Sequence, residues 1–248
     1  QNEMVRQAME DGVDVIVFSA VDYNANAEII GQAAQRGIKI VVIDSDVNSS
    51  MVSCRIGTNN LQAGVKAAEA ALAVGEDELY IGIVNYDVNS ANGQQRELGF
   101  RQTVEQDPRV KDITTINVLS TTEDARAGAK EMLLSDSRIN VVVTFNEWTS
   151  LGVGWAIRDL NRADRIQVVA FDSNVVSVGM LETGEVDALI VQNPYAMGYL
   201  GVETAANLMN GQTGGPSVVD TATTIVTREN MYEPESQKIL FSFEEEGY

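Results

Sequence analysis

Six short apolar runs in this chain each end in polar side chains that could bind a small ligand. The polar residues that follow the runs are Ser19 with Asp22, Asp44, Asn85, Asn146, Asp172 and Gln192. Short runs rich in β-branched residues are typical of strands that are buried on both faces of a parallel sheet. Ligands of parallel α/β sheets bind just beyond the carboxyl ends of the strands. The sequence therefore places amides and carboxylates where a small polar ligand would be held by hydrogen bonds.

The residue types exclude several kinds of chemistry. The chain has no His, which removes the commonest general base and metal ligand and excludes Ser-His-Asp and Cys-His hydrolases. Its single cysteine, Cys54, is expected to be a buried, inert thiol. The glycines at 152–154 lie within a helical pattern, so they do not form a dinucleotide fingerprint, and residues 44–48 begin like a calcium loop without its later Gly and Glu. We expect no catalytic residue, no cofactor and no metal site.

The charge balance limits the partners of the protein. There are 36 acidic and 17 basic residues, which gives a formal net charge of −19. Such a chain has no basic face to neutralise phosphates, so we expect no nucleic-acid partner. Direct binding to anionic lipid is disfavoured for the same reason, and no apolar stretch approaches the length of a membrane span. We therefore expect no direct membrane insertion of this chain.

Helical patterns alternate with the apolar runs along the whole chain. They cover residues 24–36, 61–74, 92–106, 122–135, 148–161, 174–183 and 195–210. The alternation predicts an α/β fold with parallel sheets and right-handed crossovers. With further strands at 53–57, 113–119 and 222–227 the count reaches about nine, which favours two sheets over one. A weak internal echo between residues 37–45 and 165–173, both ending in Asp-Ser, points the same way.

In their order and spacing these motifs resemble the type I periplasmic sugar-binding proteins, especially the ribose-binding-protein branch. The resemblance is most specific in residues 11–17, 142–147, 169–172, 191–195 and 224–230. It implies two doubly wound parallel-sheet lobes joined by a three-crossing hinge, with crossings near 58–60, 192–194 and 219–222. The first lobe would comprise residues 1–58 plus 193–220, and the second 59–192 plus 221–248. The first lobe would be truncated, lacking the N-terminal strand, helix and strand, and the acidic tail at 244–248 would be a solvated end.

The resemblance also implies a set of ligand-binding residues in a cleft between the lobes. Asp44, Asn146, Asp172 and Gln192 match polar ligand contacts of the family. Gln94 is expected in the same cleft, although it and Ser45 stand where the family has arginines. Arg96 matches a structural arginine. Trp148 or Tyr86 would cover apolar sugar surface, with Tyr23 and Tyr195 as alternatives. Asp172 and Asn146 each precede a helix, so an N-cap is the competing interpretation for both.

The implied function is that of a solute-binding protein that closes on a small polyhydroxylated ligand and delivers it to the membrane permease of an ABC-type uptake transporter. The loss of two arginines favours a neutral or cationic ligand over an anionic one. The location would be periplasmic or extracellular, with a membrane anchor at the missing N-terminus as one option. The alternative is the effector-binding domain of a sugar-responsive transcription repressor, which shares the fold. An enzyme is the least favoured class, because the chain lacks His, a phosphate loop and an activated nucleophile.

Overall fold

The computed structural model describes residues 1–212 and 215–241, and it is an α/β protein in which helices alternate with strands. The helices are α1 (Asn2–Glu10), α2 (Ala27–Gln35), α3 (Asn60–Leu72), α4 (Ala91–Val104), α5 (Thr122–Ser135), α6 (Glu147–Leu160), α7 (Val175–Thr183), α8 (Pro194–Met209) and α9 (Pro234–Leu240). The strands are β1 (Val15–Phe18), β2 (Lys39–Ile43), β3 (Cys54–Thr58), β4 (Leu79–Asn85), β5 (Val110–Asn117), β6 (Val141–Thr144), β7 (Gln167–Phe171), β8 (Ala188–Val191), β9 (Val218–Thr221) and β10 (Thr224–Thr227). The predicted fold class is confirmed.

The first of two compact units comprises Gln1–Asn59, Asn89–Asn92 and Asn193–Ala222. Its sheet has four parallel strands in the order β1-β2-β3-β9. Within the described residues β1 is an edge strand that pairs with β2 alone. One core cluster of this unit is built from apolar side chains of α1, α2, β1 and β2, and includes Phe18, Ile30, Ile40 and Val42. Another contains Val41, Cys54 and Ile56.

The second unit comprises Asn60–Val88, Gly93–Gln192 and Thr223–Tyr248, of which the structure describes residues up to 241. Its six strands are ordered β10-β8-β7-β6-β4-β5, and all pairs are parallel except β10 with β8. Side chains of β7 alternate between two cores, with Val168 and Ala170 in one and Val169 and Phe171 in the other. Because both faces are buried, the strand is apolar throughout instead of alternating with polar residues.

Two strand predictions need correction. The expected strand at 222–227 is shorter, because β10 begins at Thr224, and the preceding segment forms β9 at Val218–Thr221 in the sheet of the other unit. The expected strand at 113–119 is β5, which starts earlier at Val110 and ends at Asn117. The chain passes between the units after Asn59, Gln192 and Ala222, and residues 89–92 are grouped with the first unit. The lobe limits proposed from the sequence stay a prediction.

Two sequence expectations concern the membrane and the tail. In the part of the chain that the structure describes, no helix combines the length and the apolar character needed to cross a bilayer. The predicted solvated tail at 244–248 lies outside the described residues.

Candidate ligand-binding site

Asp44 and Asp172 end their strands with the same unusual backbone geometry. Both are in the left-handed region, with φ of 55° at Asp44 and 68° at Asp172. The backbone N–H of Asp44 donates to the carbonyl of Ile56, and that of Asp172 to the carbonyl of Ile190, each at 3.0 Å. Non-glycine residues occupy this region at a cost, and such strain concentrates at functional sites. The faint sequence echo therefore corresponds to one local structure that occurs once in each unit.

Asp172 contacts Gln192 directly. These residues follow β7 and β8, which are adjacent parallel strands, and Gln192 Nε2 donates to Asp172 Oδ1 at 2.6 Å. The N-cap of α7 is Asn174, whose side-chain oxygen accepts from the backbone N–H groups of Val176 at 2.8 Å and Ser177 at 2.9 Å. The interpretation of Asp172 as an N-cap is therefore wrong. Its carboxylate and the Gln192 amide form a hydrogen-bonded pair at the carboxyl edge of the sheet.

Arg96 lies behind this pair and is only 2% exposed. Its Nη2 donates to Gln192 Oε1 at 2.7 Å, its Nη1 to the Phe145 carbonyl at 2.6 Å, and its Nε to Asn60 Oδ1 at 2.8 Å. The guanidinium carbon is 4.8 Å from the centroid of the Phe171 ring, a cation–π contact. Arg96 is thus a buried arginine that bonds to protein oxygens, as expected for a structural role.

Asn146 is the N-cap of α6. Its Oδ1 accepts from the Thr149 N–H at 3.0 Å, and its Nδ2 donates to Ser120 Oγ at 2.7 Å. The N-cap interpretation is correct for this residue, and a ligand contact remains a prediction beside it. Two residues further on, Trp148 is 49% exposed at the first turn of α6, so it is accessible to a binding partner.

Tyr86 and Gln94 differ in their exposure. Tyr86 is 8% exposed, and a Cβ on Gly93 would lie 3.0 Å from its ring atoms, so the ring packs closely against the start of α4. Gln94, one residue further on, is exposed. Asn85, the polar end of β4, is fully buried and donates through Nδ2 to Glu97 Oε2 at 2.6 Å. The strand end at Asn85 is therefore structural.

In the first unit, the side chain of Asp44 lies among small polar groups. Ser45 Oγ donates to Asp44 Oδ2 at 3.2 Å, and Asn92 Nδ2 is 3.2 Å from Ser45 Oγ and 3.5 Å from Asp44 Oδ1. A Cβ at Gly57 would lie 3.1 Å from the Asp44 carbonyl oxygen, so this glycine lets β3 pass close to the backbone of Asp44. Sequence reasoning missed Asn92, because a polar residue at the start of a helical pattern has no signal of its own.

Of the seven predicted site residues, Asp44 belongs to the first unit and the other six to the second. The structure brings Asp172 and Gln192 into direct contact, and it places Asn146 and Trp148 together at the start of α6. Within the described residues there is no group of three or more Cys, Asp or Glu side chains that could hold a metal ion. The side chains placed here can act through hydrogen bonds and apolar contact.

Comparison with known proteins assigns the chain to a family. A family model described as "Periplasmic binding protein domain" matches residues 1–213. A D-ribose/D-allose-binding protein of Pseudomonas aeruginosa is 26% identical over 239 residues, which cover 92% of this chain and 74% of the relative. A carbohydrate transporter solute-binding protein from Agrobacterium radiobacter, solved in complex with D-arabinose, is 26% identical with a TM-score of 0.92, over 96% of this chain and 82% of that chain. An ABC transporter solute-binding protein from Agrobacterium vitis with bound D-fucose is 25% identical with a TM-score of 0.91, over 96% and 83%. The protein belongs to the periplasmic binding protein domain family, a family of solute-binding proteins.

Proposed function

We propose that the protein binds a small polyhydroxylated ligand, a sugar or sugar derivative, and delivers it to the permease of an ABC-type uptake transporter. The observation that carries this proposal is the Asp172–Gln192 pair at the carboxyl edge of the second sheet, with Asp172 in a left-handed conformation and without a capping role. A similar protein named for ribose and allose, and similar structures solved with arabinose and with fucose, support the ligand class.

The chemistry of the pair suits vicinal hydroxyls. A carboxylate accepts hydrogen bonds from hydroxyl donors, and an amide both donates and accepts, so together they satisfy groups that are themselves donors and acceptors. Bonds to the charged oxygen are the stronger ones. We propose that Asp44, Gln94 and Asn146 supply further polar contacts and that Trp148 and Tyr86 supply apolar ones. The greater exposure of Trp148 favours it over the buried Tyr86.

We expect the ligand to be neutral or cationic. Ser45 and Gln94 are uncharged, and the buried Arg96 bonds to three neutral protein oxygens. An acidic sugar placed beside Asp172 would bring a second carboxylate into the site, and like charges at short range repel. An amino sugar would be tolerated there.

The proposal places the protein outside the cytoplasmic membrane, in the periplasm or at the cell surface, where uptake transporters collect their substrates. Its partner would be the transporter's permease, and a membrane anchor would act only as a tether. This location rests on the family assignment and on the transport names of similar proteins.

A thermal-shift screen tests the ligand class. D-ribose, D-allose, D-arabinose and D-fucose are added to the wild type and to Asp172→Asn, which keeps the size and left-handed tolerance of the residue. A sugar at 100 times its Kd stabilises the folded state by about 2.7 kcal/mol, and we expect at least one of the four to raise the wild-type melting temperature clearly. The rise should be much smaller for Asp172→Asn. A cooperatively folded wild type that none of the four sugars stabilises would contradict the proposal.

A further inference from the structure

Arg96 is a buried cation for which the described residues supply no ion-pair partner. It is 2% exposed, and it takes part in none of the ion pairs formed by the described residues. Its three hydrogen-bond acceptors, Asn60 Oδ1, the Phe145 carbonyl and Gln192 Oε1, are all uncharged. Burying a charge without a counter-charge costs free energy, so the presence of an arginine at this buried position needs an explanation.

The hydrogen bonds of Arg96 fix which way the Gln192 amide points. A guanidinium has donors and no acceptor, so the atom of Gln192 that faces Nη2 must be the carbonyl oxygen. The Nε2 group then points to Asp172 Oδ1, at 2.6 Å. If the amide were reversed, Gln192 Nε2 would face the Arg96 Nη2 donor, and Gln192 Oε1 would face the Asp172 Oδ1 acceptor. Arg96 therefore excludes one of the two orientations.

The position of Arg96 is itself fixed by close packing of α3 against α4. A Cβ at Gly64 on α3 would lie 2.0 Å from the Arg96 carbonyl oxygen, and a Cβ at Gly99 on α4 would lie 2.1 Å from the Leu61 carbonyl oxygen. Only glycines allow the two helix backbones to approach this closely. The guanidinium is also held by its cation–π contact with the ring of Phe171, the residue before Asp172. The donor that faces Gln192 is thus rigidly placed.

We propose that Arg96 is a positioning residue for ligand recognition, which orients the Gln192 amide and, through it, the Asp172 carboxylate. The inference rests on the proposed function for its effect on binding, and on the structure alone for its effect on Gln192. Arg96 also joins Asn60 and Gln192, which are the residues at two points where the chain enters or leaves the second unit. The oriented pair is therefore anchored to both of these chain segments.

A measurement without sugar tests the orientation. The Gln192 side-chain amide is observed by ¹⁵N-resolved NMR in the wild type, in Arg96→Lys, and in the matched control Arg101→Lys. Arg101 lies on the same helix and bonds to Glu97 at 2.8 Å, away from the pair. We expect two well-separated Nε2 proton signals that exchange slowly with solvent in the wild type and in the control. In Arg96→Lys they should move towards the positions and exchange rates of an exposed amide. The three donors of an ammonium lie on one nitrogen, whereas the three acceptors here are reached from three separate nitrogens of the guanidinium. Unchanged signals in Arg96→Lys would overturn the inference.

Binding of D-ribose and D-arabinose by Arg96→Lys, Gln192→Ala and the double variant tests the route of the effect. If Arg96 acts through Gln192, Arg96→Lys weakens binding by about tenfold or more in the wild-type background and by less than about twofold when Gln192 is already Ala. An equal loss in both backgrounds would show that Arg96 acts by another route and overturn the inference. If Arg96→Lys fails to fold, Arg96→Gln, which still donates one hydrogen bond, replaces it in both measurements. If neither sugar binds the wild type, the proposed function is in doubt while the NMR result still decides the role of Arg96.

Discussion

Variants at Asp172 can show whether its carboxylate contacts the ligand or serves only the fold, because the structure assigns the capping role to another residue. Asn174 caps α7 through two backbone bonds, whereas Asp172 pairs with Gln192. Asp172→Ala, Asp172→Gly and Asn174→Ala are therefore three distinct perturbations at two nearby positions. The first two remove the same carboxylate, and the third removes the cap.

The expected magnitudes follow from these contacts. A charge-assisted hydrogen bond to a ligand hydroxyl contributes about 1.5–3 kcal/mol, so loss of the carboxylate should weaken sugar binding by roughly ten- to several-hundred-fold. At φ 68° an alanine is strained and a glycine is not, so Asp172→Gly should be more stable than Asp172→Ala by about 1 kcal/mol. Asn174→Ala should lower stability by about 1 kcal/mol and leave affinity within about twofold.

Titration calorimetry with the best sugar of the four, beside urea unfolding of the ligand-free variants, measures both quantities. We expect the two Asp172 variants to share one affinity loss and to differ in stability. This expectation would be refuted if Asp172→Gly bound the sugar as tightly as the wild type, or if Asn174→Ala lost affinity as strongly as Asp172→Ala.

Three further predictions concern packing, pH and the exposed indole. Gly64→Ala should destabilise the protein by about 1–3 kcal/mol, because the new methyl group meets the Arg96 carbonyl, whereas Gly31→Ala in open space on α2 should stabilise it by about 0.5–1 kcal/mol; equal midpoints in urea would contradict this. Hydrogen bonds from Arg126 and Lys130 lower the pKa of Asp159 to about 2 from its ordinary value of 3.8. The stability that this carboxylate contributes should be present above its unfolded pKa and disappear as the pH falls to about 2. The melting temperatures of the wild type and Asp159→Asn should therefore differ at pH 7 and converge in acid. A difference that stays constant with pH would refute this prediction. Trp148→Ala should weaken sugar binding by about three- to tenfold with little change in the melting temperature, since the side chain is 49% exposed; an unchanged Kd would remove Trp148 from the site.

The fold was predictable where burial decides the residue pattern. Strands such as β6 and β7 are covered on both faces, so their sequences are nearly continuous apolar runs. Glycines such as Gly37 and Gly184 have the positive φ expected where a helix ends. The boundary between β9 and β10 was not predictable. The residues on either side of Ala222 are threonines and carry no turn signal. Only pairing with β3 or with β8 decides which sheet each segment joins.

The polar residues at the strand ends of the candidate site could be predicted from the sequence, but the contacts between side chains could not. Asp172, Ser173 and Asn174 are all good N-cap residues, so sequence alone could not tell which one caps α7. The start of the helix at Val175 assigns the cap to Asn174. The contact of Arg96 with Gln192 joins residues that are 96 positions apart, and no local pattern encodes it.

A crystal structure of the protein with the tightest-binding sugar of the four tests the central claim most directly. The account predicts sugar hydroxyls within hydrogen-bond distance, about 2.5–3.2 Å, of the Asp172 carboxylate and the Gln192 amide, with the Gln192 oxygen still bonded to Arg96. A sugar bound elsewhere on the protein, or one bound without contact to Asp172, would contradict it.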